Sequence, residues 1–323
     1  MAKFRKIQQT RTGTFFVCLT RSWAEKNGVK KGSQVVLDET SDGKLCIDAK
    51  VNAEPLPKVA VVSPGPFLGR EILGRYLLGF DVVRVQAKER FGFDVREVVK
   101  RTMSALIGLE IVEETSSEIV LQCLLDVSSF PPEKLLVRNH NIVVGMCRDA
   151  VAALVDGDLQ LAKSVVARDD ESDRQYFLLV RVLRTVVQDA GLGAKLGLSP
   201  IDCMDYRLAA NCVEALGDVA VQIAGEVLRV NDVKPSEDEN NLLCALRDVC
   251  CEASDKALKA FVSKDFALAE EVHNMREKVS SVSTGIEKST QNQTAKVVQQ
   301  TLNAAACLKR VYELSVDLAD LVV

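Results

Sequence analysis

The feature that most constrains the fold is a run of amphipathic helices that starts after the Phe-Pro-Pro-Glu segment at 130–133 and continues to the last residue. Apolar residues recur there every three to four positions, which predicts helices that each bury one face. The pattern predicts two sets of three helices, at about 133–156, 158–190 and 199–231, then about 238–263, 265–287 and 294–321. The Pro- and Ser-containing segment 229–239 separates the sets, so we expect two three-helix bundles, over 133–232 and 237–323.

The two helix sets resemble each other in sequence, which indicates an internal repeat. The segment "AALVDGDLQLA" (152–162) aligns with "KAFVSKDFALA" (259–269), and "VEALGDVA" (213–220) aligns with "YELSVDLA" (312–319). Internal self-similarity is the sequence signature of repeated structural units. The two bundles are therefore predicted to share one architecture.

Upstream of the helices, residues 57–128 alternate between strand and helix patterns. The order is strand "KVAVVS", helix "PFLGREILGRYLLG", strand "FDVVRVQA", helix "DVREVVKRTMSALIG" and a hairpin formed by "LEIVEE" and "EIVLQCLL". Alternation of this kind packs helices against a small sheet. We expect a small α/β sandwich domain.

The first 52 residues show short strands around one short helix, and they are strongly basic. Such a short segment cannot bury a sufficient core alone, so an oligomer is expected. Residues 1–37 contain one acid and eight basic residues, a charge of +7, and because the whole chain carries −4 the remainder carries −11. A basic arm on an acidic body predicts an anionic partner for the arm.

Several classes of protein are disfavoured by the sequence. It contains no apolar stretch long enough to span a bilayer, its first residues "MAKFRKIQQTRTG" lack the apolar segment of a signal peptide, and its ten cysteines have no metal-finger spacing. We expect a cytoplasmic protein with reduced thiols and no membrane insertion. With two histidines, no Walker loop and no Rossmann glycine fingerprint, we do not expect an enzyme.

An unusual acidic segment, "VVARDDESDRQYF" (165–177), interrupts the second predicted helix. Stepping by fours along this helix gives an apolar stripe that contains two of its acids, in the order Leu161, Val165, Asp169, Asp173, Phe177. Asp170 and Glu171 fall on the solvated side. The third helix has an acidic pair at the same spacing, Glu214 and Asp218, so four carboxylates are predicted to meet between the two helices.

Four inward carboxylates need compensation, since one buried unpaired charge costs several kcal/mol. One interpretation is a hard cation. The absence of a nearby histidine then favours magnesium, calcium, manganese or ferric iron over zinc or copper. A second is pairing with nearby arginines, for which Arg181, Arg184 and Arg207 are available. A third is simple exposure at a thin edge of the bundle. The cation is our leading interpretation.

The helical half resembles PhoU, the phosphate-uptake regulator, which is built from two three-helix bundles. The acid-x-x-x-acid signature of that family is matched by Asp169/Asp173 and Glu214/Asp218 in the first bundle and by Glu313/Asp317 in the second. The resemblance implies metal binding at these six residues. Opposite the last pair the chain offers "AEEVHNMREK" (269–278), with His273 and Glu277, so weaker binding is expected there. The segment "EALGDV" (214–219) also lacks the arginine and histidine of the family's Glu-Arg-x-x-Asp-His pattern.

The first domain resembles the SpoVT/AbrB swapped-hairpin DNA-binding domain. The resemblance rests on a basic opening strand, the strand "VCLT" entering a short helix, and "GVKKGSQVVL" (28–37). It implies a homodimer in which two chains exchange strands, and DNA contacts from Arg5, Lys6, Arg11 and Arg21. The order of domains resembles archaeal PhoU-type regulators.

The two resemblances together imply a DNA-binding transcriptional regulator of phosphate uptake or metabolism that senses through metal-binding bundles. The alternative is a PhoU-type adaptor that makes no DNA contact and docks on a phosphate transporter or a signalling protein.

Overall fold

The computed structural model describes residues 4–39, 43–49, 57–230 and 234–322. The chain separates into two compact units, 1–56 and 57–323. The predicted boundary between 52 and 57 lies almost entirely outside the described residues, as do positions 231–233 of the predicted divider between the bundles. The finer division of the chain into four domains stays a prediction.

The first unit consists of two short hairpins and one helix. Strand β1 (Gln8–Gln9) pairs antiparallel with β2 (Phe15–Phe16), helix α1 follows (Arg21–Lys26), and β3 (Val36–Glu39) pairs antiparallel with β4 (Leu45–Asp48). Gly13 closes the first turn at a φ of +94°, where a residue without Cβ is favoured. Among the residues of this unit whose burial is described, none is buried. The described part therefore has no core of its own.

The second unit opens with a four-stranded sheet in the order β5-β6-β8-β7. Its strands are β5 (Val59–Val62), β6 (Val82–Gln86), β7 (Leu109–Glu114) and β8 (Glu118–Cys123), and its helices are α2 (Leu68–Leu77) and α3 (Phe93–Ser104). The pair β5–β6 is parallel and the other two pairs are antiparallel. The predicted hairpin of β7 and β8 is confirmed. The core between this sheet and its two helices includes the fully buried Ile72, Tyr76 and Val99.

The rest of the unit is helical. The helices are α4 (Pro132–Asp156), α5 (Leu159–Gln188), α6 (Ala190–Leu196), α7 (Pro200–Arg229), α8 (Glu237–Ser263), α9 (Phe266–Asn274), α10 (Arg276–Ser289) and α11 (Ala295–Ala319). Helices α4, α5 and α7 pack together, as do α8, α10 and α11. Contacts of α4 with α8 and of α7 with α11 join the two groups, and one hydrophobic core runs through both.

Two predicted helices differ in detail from the structure. The helix predicted at 158–190 ends at Gln188, because Asp189 is extended and its side chain caps the short α6 by accepting from the Leu192 amide. The helix predicted at 265–287 is divided at Met275 into α9 and α10. Neither break coincides with a Gly or Pro signal, which is why periodicity alone does not reveal them.

A buried arginine joins the sheet layer to the first bundle. Arg181 on α5 is 2% exposed and donates hydrogen bonds to the carbonyl oxygens of Tyr76 (2.6 Å) and Phe80 (3.0 Å). Its guanidinium carbon lies 4.9 Å from the centre of the Tyr76 ring, and its Nη2 lies 3.8 Å from Asp81 Oδ1. The adjacent Phe177 packs against the core of the α/β layer. Helix α5 is thus shared between the layer and the bundle.

Candidate metal centre

The four predicted carboxylates come from two helices that pack side by side. Asp169 and Asp173 lie one turn apart on α5, and Glu214 and Asp218 lie one turn apart on α7. Asp169, Asp173 and Glu214 are partly buried, and Asp218 is exposed. The cluster therefore opens to solvent at the edge of the α5–α7 interface.

The carboxylates are close enough to repel one another. Burial, followed by the charges of Asp173 and Asp218, raises the pKa of Asp169 to about 6. Burial and the charge of Asp218 raise the pKa of Asp173, and the pKa of Glu214 is raised by burial and then by Asp218 and Asp173. The four groups thus influence one another electrostatically across the α5–α7 interface, and their joint role as a site stays a prediction.

A glycine allows this close approach of the helices. A Cβ atom built on Gly217 of α7 would lie 3.2 Å from Val143 Cγ1, 3.4 Å from Ser172 Oγ and 3.7 Å from Asp169 Oδ1. A Cβ there would be tight against Val143, which would have to move by a few tenths of an ångström, and would be in ordinary contact with the two α5 side chains. Gly217 therefore lies where α7 has little spare space beside Asp169.

The position of Asp169 and Asp173 on α5 differs from the predicted one. The deeply buried stripe runs through Val165, Ser172 and Leu179, and the two aspartates lie at its edge. Stepping by fours drifts about 40° per step around a helix with 3.6 residues per turn. The predicted stripe consequently leaves the core face. Asp170 and Glu171 are exposed, and Glu171 lies 3.6 Å from Arg138.

The three nearby arginines do not pair with the cluster. Arg181 is used by the α/β layer, Arg207 lies 5.1 Å from the centre of the Tyr176 ring and only lowers the pKa of Glu214, and Arg184 is exposed. Within the described part of the chain, no ion pair includes any of the four acids. The offset that the described residues supply is the charge of Arg207 acting on Glu214.

The chemistry of this donor set fits a hard cation, because it offers only oxygen ligands. The buried Ser172 Oγ, close to the same helix contact, also has no hydrogen-bond partner. Among the described residues, however, no group of three or more His, Cys, Asp or Glu side chains is arranged so that it could hold a metal ion. Rotation of the carboxylates would be required, and the metal site stays a prediction.

The acidic pair of the second bundle has a different environment. Glu313 and Asp317 are exposed on α11, and Glu313 accepts a 3.2 Å hydrogen bond from Arg310. They line a depression of about 270 Å³ together with Arg276 and Lys309. His273 Nε2 lies 3.0 Å from Asp320 Oδ1, so this histidine is directed to a different acid. Protein cations therefore already balance the second pair.

All four predicted DNA-binding residues lie on the surface of the first unit. Arg5, Lys6 and Arg11 are exposed. Arg21, at the start of α1, pairs with Glu25 at 2.8 Å. Solvent exposure leaves the first three side chains accessible to an anionic partner, whereas Arg21 would have to leave an ion pair on its own helix.

Residues 136–227 match the PhoU domain family. This segment of the chain is therefore similar to PhoU domains. The matched segment runs from α4 to the end of α7 and includes all four carboxylates of the first bundle. Among curated proteins, none gives a significant match.

Two solved structures are similar to this chain. PhoU from Pseudomonas aeruginosa is 18% identical with a TM-score of 0.54, over 61% of this chain and 96% of that protein. The phosphate transport system regulatory protein PhoU from Streptococcus pneumoniae is 16% identical with a TM-score of 0.50, over 59% of this chain and 91% of that protein. Both matches cover a larger share of the chain than the segment 136–227, and at these identities they show similarity of fold alone.

The helices of the described ranges are amphipathic and not uniformly apolar. None of them combines the length and the hydropathy that crossing a bilayer requires.

Proposed function

We propose that this protein is a PhoU-type regulator of phosphate transport that acts as an adaptor, docking on a phosphate transporter or on a signalling protein that controls it. The observation that carries this proposal is the match of residues 136–227 to the PhoU domain, set within paired bundles of PhoU-like fold. The similar structure from Streptococcus pneumoniae is that of a phosphate transport system regulatory protein. The adaptor is cytoplasmic and has no enzymatic activity of its own.

A binding assay and a transport assay test the adaptor together. The purified full-length protein is immobilised, and the ATP-binding subunit of the host's phosphate transporter is passed over it in biolayer interferometry. Radiolabelled phosphate uptake is measured in cells with and without the gene. We expect saturable binding and altered uptake. Unchanged uptake together with no binding of the transporter subunit would contradict the proposal.

A second candidate function is DNA binding by a dimer of the first unit. The specific observation is a set of apolar side chains that this unit leaves in solvent, among them Phe4 at 94%, Ile7 at 71% and Phe15 at 68% exposure. A segment with no buried residue of its own and such apolar exposure is stabilised by covering those side chains with another surface. A second copy that exchanges AbrB-like hairpins would provide that cover and would place two basic arms together.

In this dimer, Arg5, Lys6, Arg11 and Arg21 contact the DNA backbone, with some reading of bases. Phosphate contacts make the affinity depend on salt, so replacing Arg5 and Arg11 with glutamine should flatten the plot of log K against log salt by about one to two units. The matched control replaces Lys296 and Lys309 of the helical part, which leaves the charge change equal. Fluorescence anisotropy with a duplex at graded salt measures both. If the intact protein binds no DNA at low salt, the DNA-binding function is wrong and the adaptor is the remaining proposal.

The dimer is tested by sedimentation. Full-length protein is expected to sediment as a dimer, and a chain that starts at Pro57 is expected to shift toward monomer. A monomeric full-length protein would show that the exposed apolar side chains are not covered by a second copy.

We also propose that Asp169, Asp173, Glu214 and Asp218 bind one magnesium, calcium, manganese or ferric ion. A bound cation would neutralise the repulsion between the two helices and couple their spacing to metal supply. The same role at Glu313 and Asp317 is weaker, because Arg310, Arg276 and Lys309 already supply positive charge there.

A further inference from the structure

A cleft of about 830 Å³ lies where the end of α3 faces α4 and the acidic segment of α5. Sites for small organic molecules commonly have volumes of roughly 300–1,000 Å³. The cleft adjoins the carboxylate site, since Asp173 lines both. It is built by the α/β layer together with the first bundle, so neither part forms it alone.

Three arginines from three different helices line the cleft: Arg101 on α3, Arg138 on α4 and Arg174 on α5. Arg138 is partly neutralised by Glu171 at 3.6 Å. Arg101 and Arg174 take part in no ion pair within the described residues. Guanidinium groups that converge without carboxylate partners attract a multiply charged anion, and their planar donor sets match phosphate oxygens.

The acids on the other side of the cleft set a further requirement. Asp170 and Asp173 line it and place two carboxylates on that side. An anion alone would be repelled by these carboxylates. A cation alone would leave Arg101 and Arg174 without a negatively charged partner. A ligand that carries both a divalent cation and phosphate groups satisfies both sides.

A buried amide borders the cleft. Gln175 is 5% exposed, lines the cleft, and its Oε1 is buried without a hydrogen-bond partner. Buried polar atoms nearly always have a partner, because leaving one unpaired costs free energy. Rotation of this amide toward the cleft would let a ligand with hydrogen-bonding groups supply that partner. Ala105, Ile107 and Ala167 provide a small apolar wall in the same cleft.

We propose that the cleft binds a nucleotide complexed with a divalent cation. Arg101 and Arg174 contact the phosphates, Asp173 contacts the cation, and Gln175 hydrogen-bonds the base or the ribose beside the apolar wall. This inference rests on the proposed metal role of Asp173. It adds a ligand class, and it assigns the α/β layer to the recognition of that ligand.

The test is isothermal titration of the full-length protein, supported by water-proton relaxation of Mn²⁺. The probes are MnCl₂ alone, ATP with EDTA, ATP with Mn²⁺, and tripolyphosphate with Mn²⁺. We expect ATP with Mn²⁺ to bind at least tenfold more tightly than either component alone, and more tightly than tripolyphosphate with Mn²⁺. The relaxation enhancement should change when ATP joins the bound Mn²⁺.

Variants separate the two sides of the site. Arg101→Gln and Arg174→Gln should each weaken the binding of ATP with Mn²⁺ by tenfold or more while leaving the binding of Mn²⁺ alone unchanged. Arg184→Gln, an exposed arginine of α5 outside the cleft, should change neither and is the matched control. Gln175→Leu should weaken ATP binding and leave tripolyphosphate binding unchanged.

The outcomes distinguish this inference from the proposed metal site. If Mn²⁺ binds and ATP adds nothing, the cleft is not a nucleotide site, although the metal proposal stands. If neither Mn²⁺ nor its ATP complex binds, both are wrong. Equal binding of tripolyphosphate and ATP would overturn the nucleotide as the ligand class.

Discussion

The Arg181 guanidinium donates a 2.6 Å hydrogen bond to the Tyr76 carbonyl oxygen and lies over the ring of the same residue. Helix α2 ends nearby, so one α5 side chain donates to two backbone oxygens at the end of α2 and in its following turn, where the Tyr76 oxygen also accepts a 3.0 Å bond from the Gly79 amide. This contact orients the α/β layer on the helix that also bears Asp169 and Asp173.

Replacing Arg181 with methionine should therefore destabilise the second unit. The Phe80 carbonyl oxygen would lose its donor and the Tyr76 oxygen would keep only the Gly79 amide, so the expected loss in the free energy of unfolding is roughly 1–3 kcal/mol. Urea denaturation followed by circular dichroism measures it. Arg184→Met on the same helix is exposed and should change stability by less than about 0.5 kcal/mol. Equal effects of the two variants would show that the buried contact is unimportant.

Metal loading should depend on Asp173 and not on Asp170. If the four carboxylates hold a cation, Asp173→Ala lowers both the metal content and the melting temperature, whereas Asp170→Ala lowers neither. A ligand present at 100 times its dissociation constant stabilises by about 2.7 kcal/mol, and EDTA should remove that gain. Elemental analysis and thermal unfolding give the two readouts. A melting temperature that is indifferent to EDTA and to Mn²⁺ would contradict the site.

The metal-free protein should lose stability as the pH rises through about 6. Asp169 binds its proton more tightly when folded, since its pKa is raised from 3.8 to about 6. Its contribution is fully present below pH 3.8 and disappears as the carboxyl ionises near pH 6. Asp169→Asn should flatten the dependence of melting temperature on pH in EDTA, and Asp170→Asn should leave the slope in place. The opposite slope in the unmodified chain would refute the assigned repulsion.

Gly217→Val should separate α5 from α7. The new side chain would meet Val143 and Ser172, and overpacking of this kind costs about 1–3 kcal/mol. Gly225→Ala on the same helix meets nothing within 4 Å and should stabilise by up to about 1 kcal/mol, because alanine favours the helix. Thermal unfolding compares the two. The valine variant should also bind Mn²⁺ more weakly, as the acidic pairs would move apart.

Metal stoichiometry should be one ion per chain. Glu313→Gln in the second bundle is expected to leave the metal content unchanged, because Arg310 already satisfies that carboxylate. Glu214→Gln is the corresponding change in the first bundle and should lower it. Equal metal occupancy of the two bundles, measured by equilibrium dialysis, would show that the protein cations around Glu313 do not weaken metal binding there.

Hydrophobic periodicity and the residues that begin or end helices predicted much of the fold. Asp158, Ser199 and Ser236 begin α5, α7 and α8 through side-chain caps, so these starts were readable from local chemistry. The break at Met275 was not readable, because it arises in the packed structure and no breaker residue marks it.

The candidate site was predicted in part. Spacing identified the two acidic pairs of the first bundle, but it could not show which arginines were free. Arg181 is directed to Tyr76 by tertiary packing, and the sequence does not encode that choice locally. Gln175 and Ser172 could also have been singled out from the sequence, because both are polar residues on the apolar stripe of α5. The cleft itself depends on how the α/β layer sits on α5, which no periodicity reveals.

The continuous core that runs through both helix groups has a consequence for how the molecule unfolds. The imidazole of His140 on α4 is hydrogen-bonded to Ser254 on α8 at 2.8 Å, and burial lowers its pKa to about 4, so it remains neutral at this junction. Two helix groups that share their interior in this way unfold together, because loosening either exposes apolar surface of the other. They therefore form a single cooperative unit, and a change at one end alters the free energy of unfolding of both.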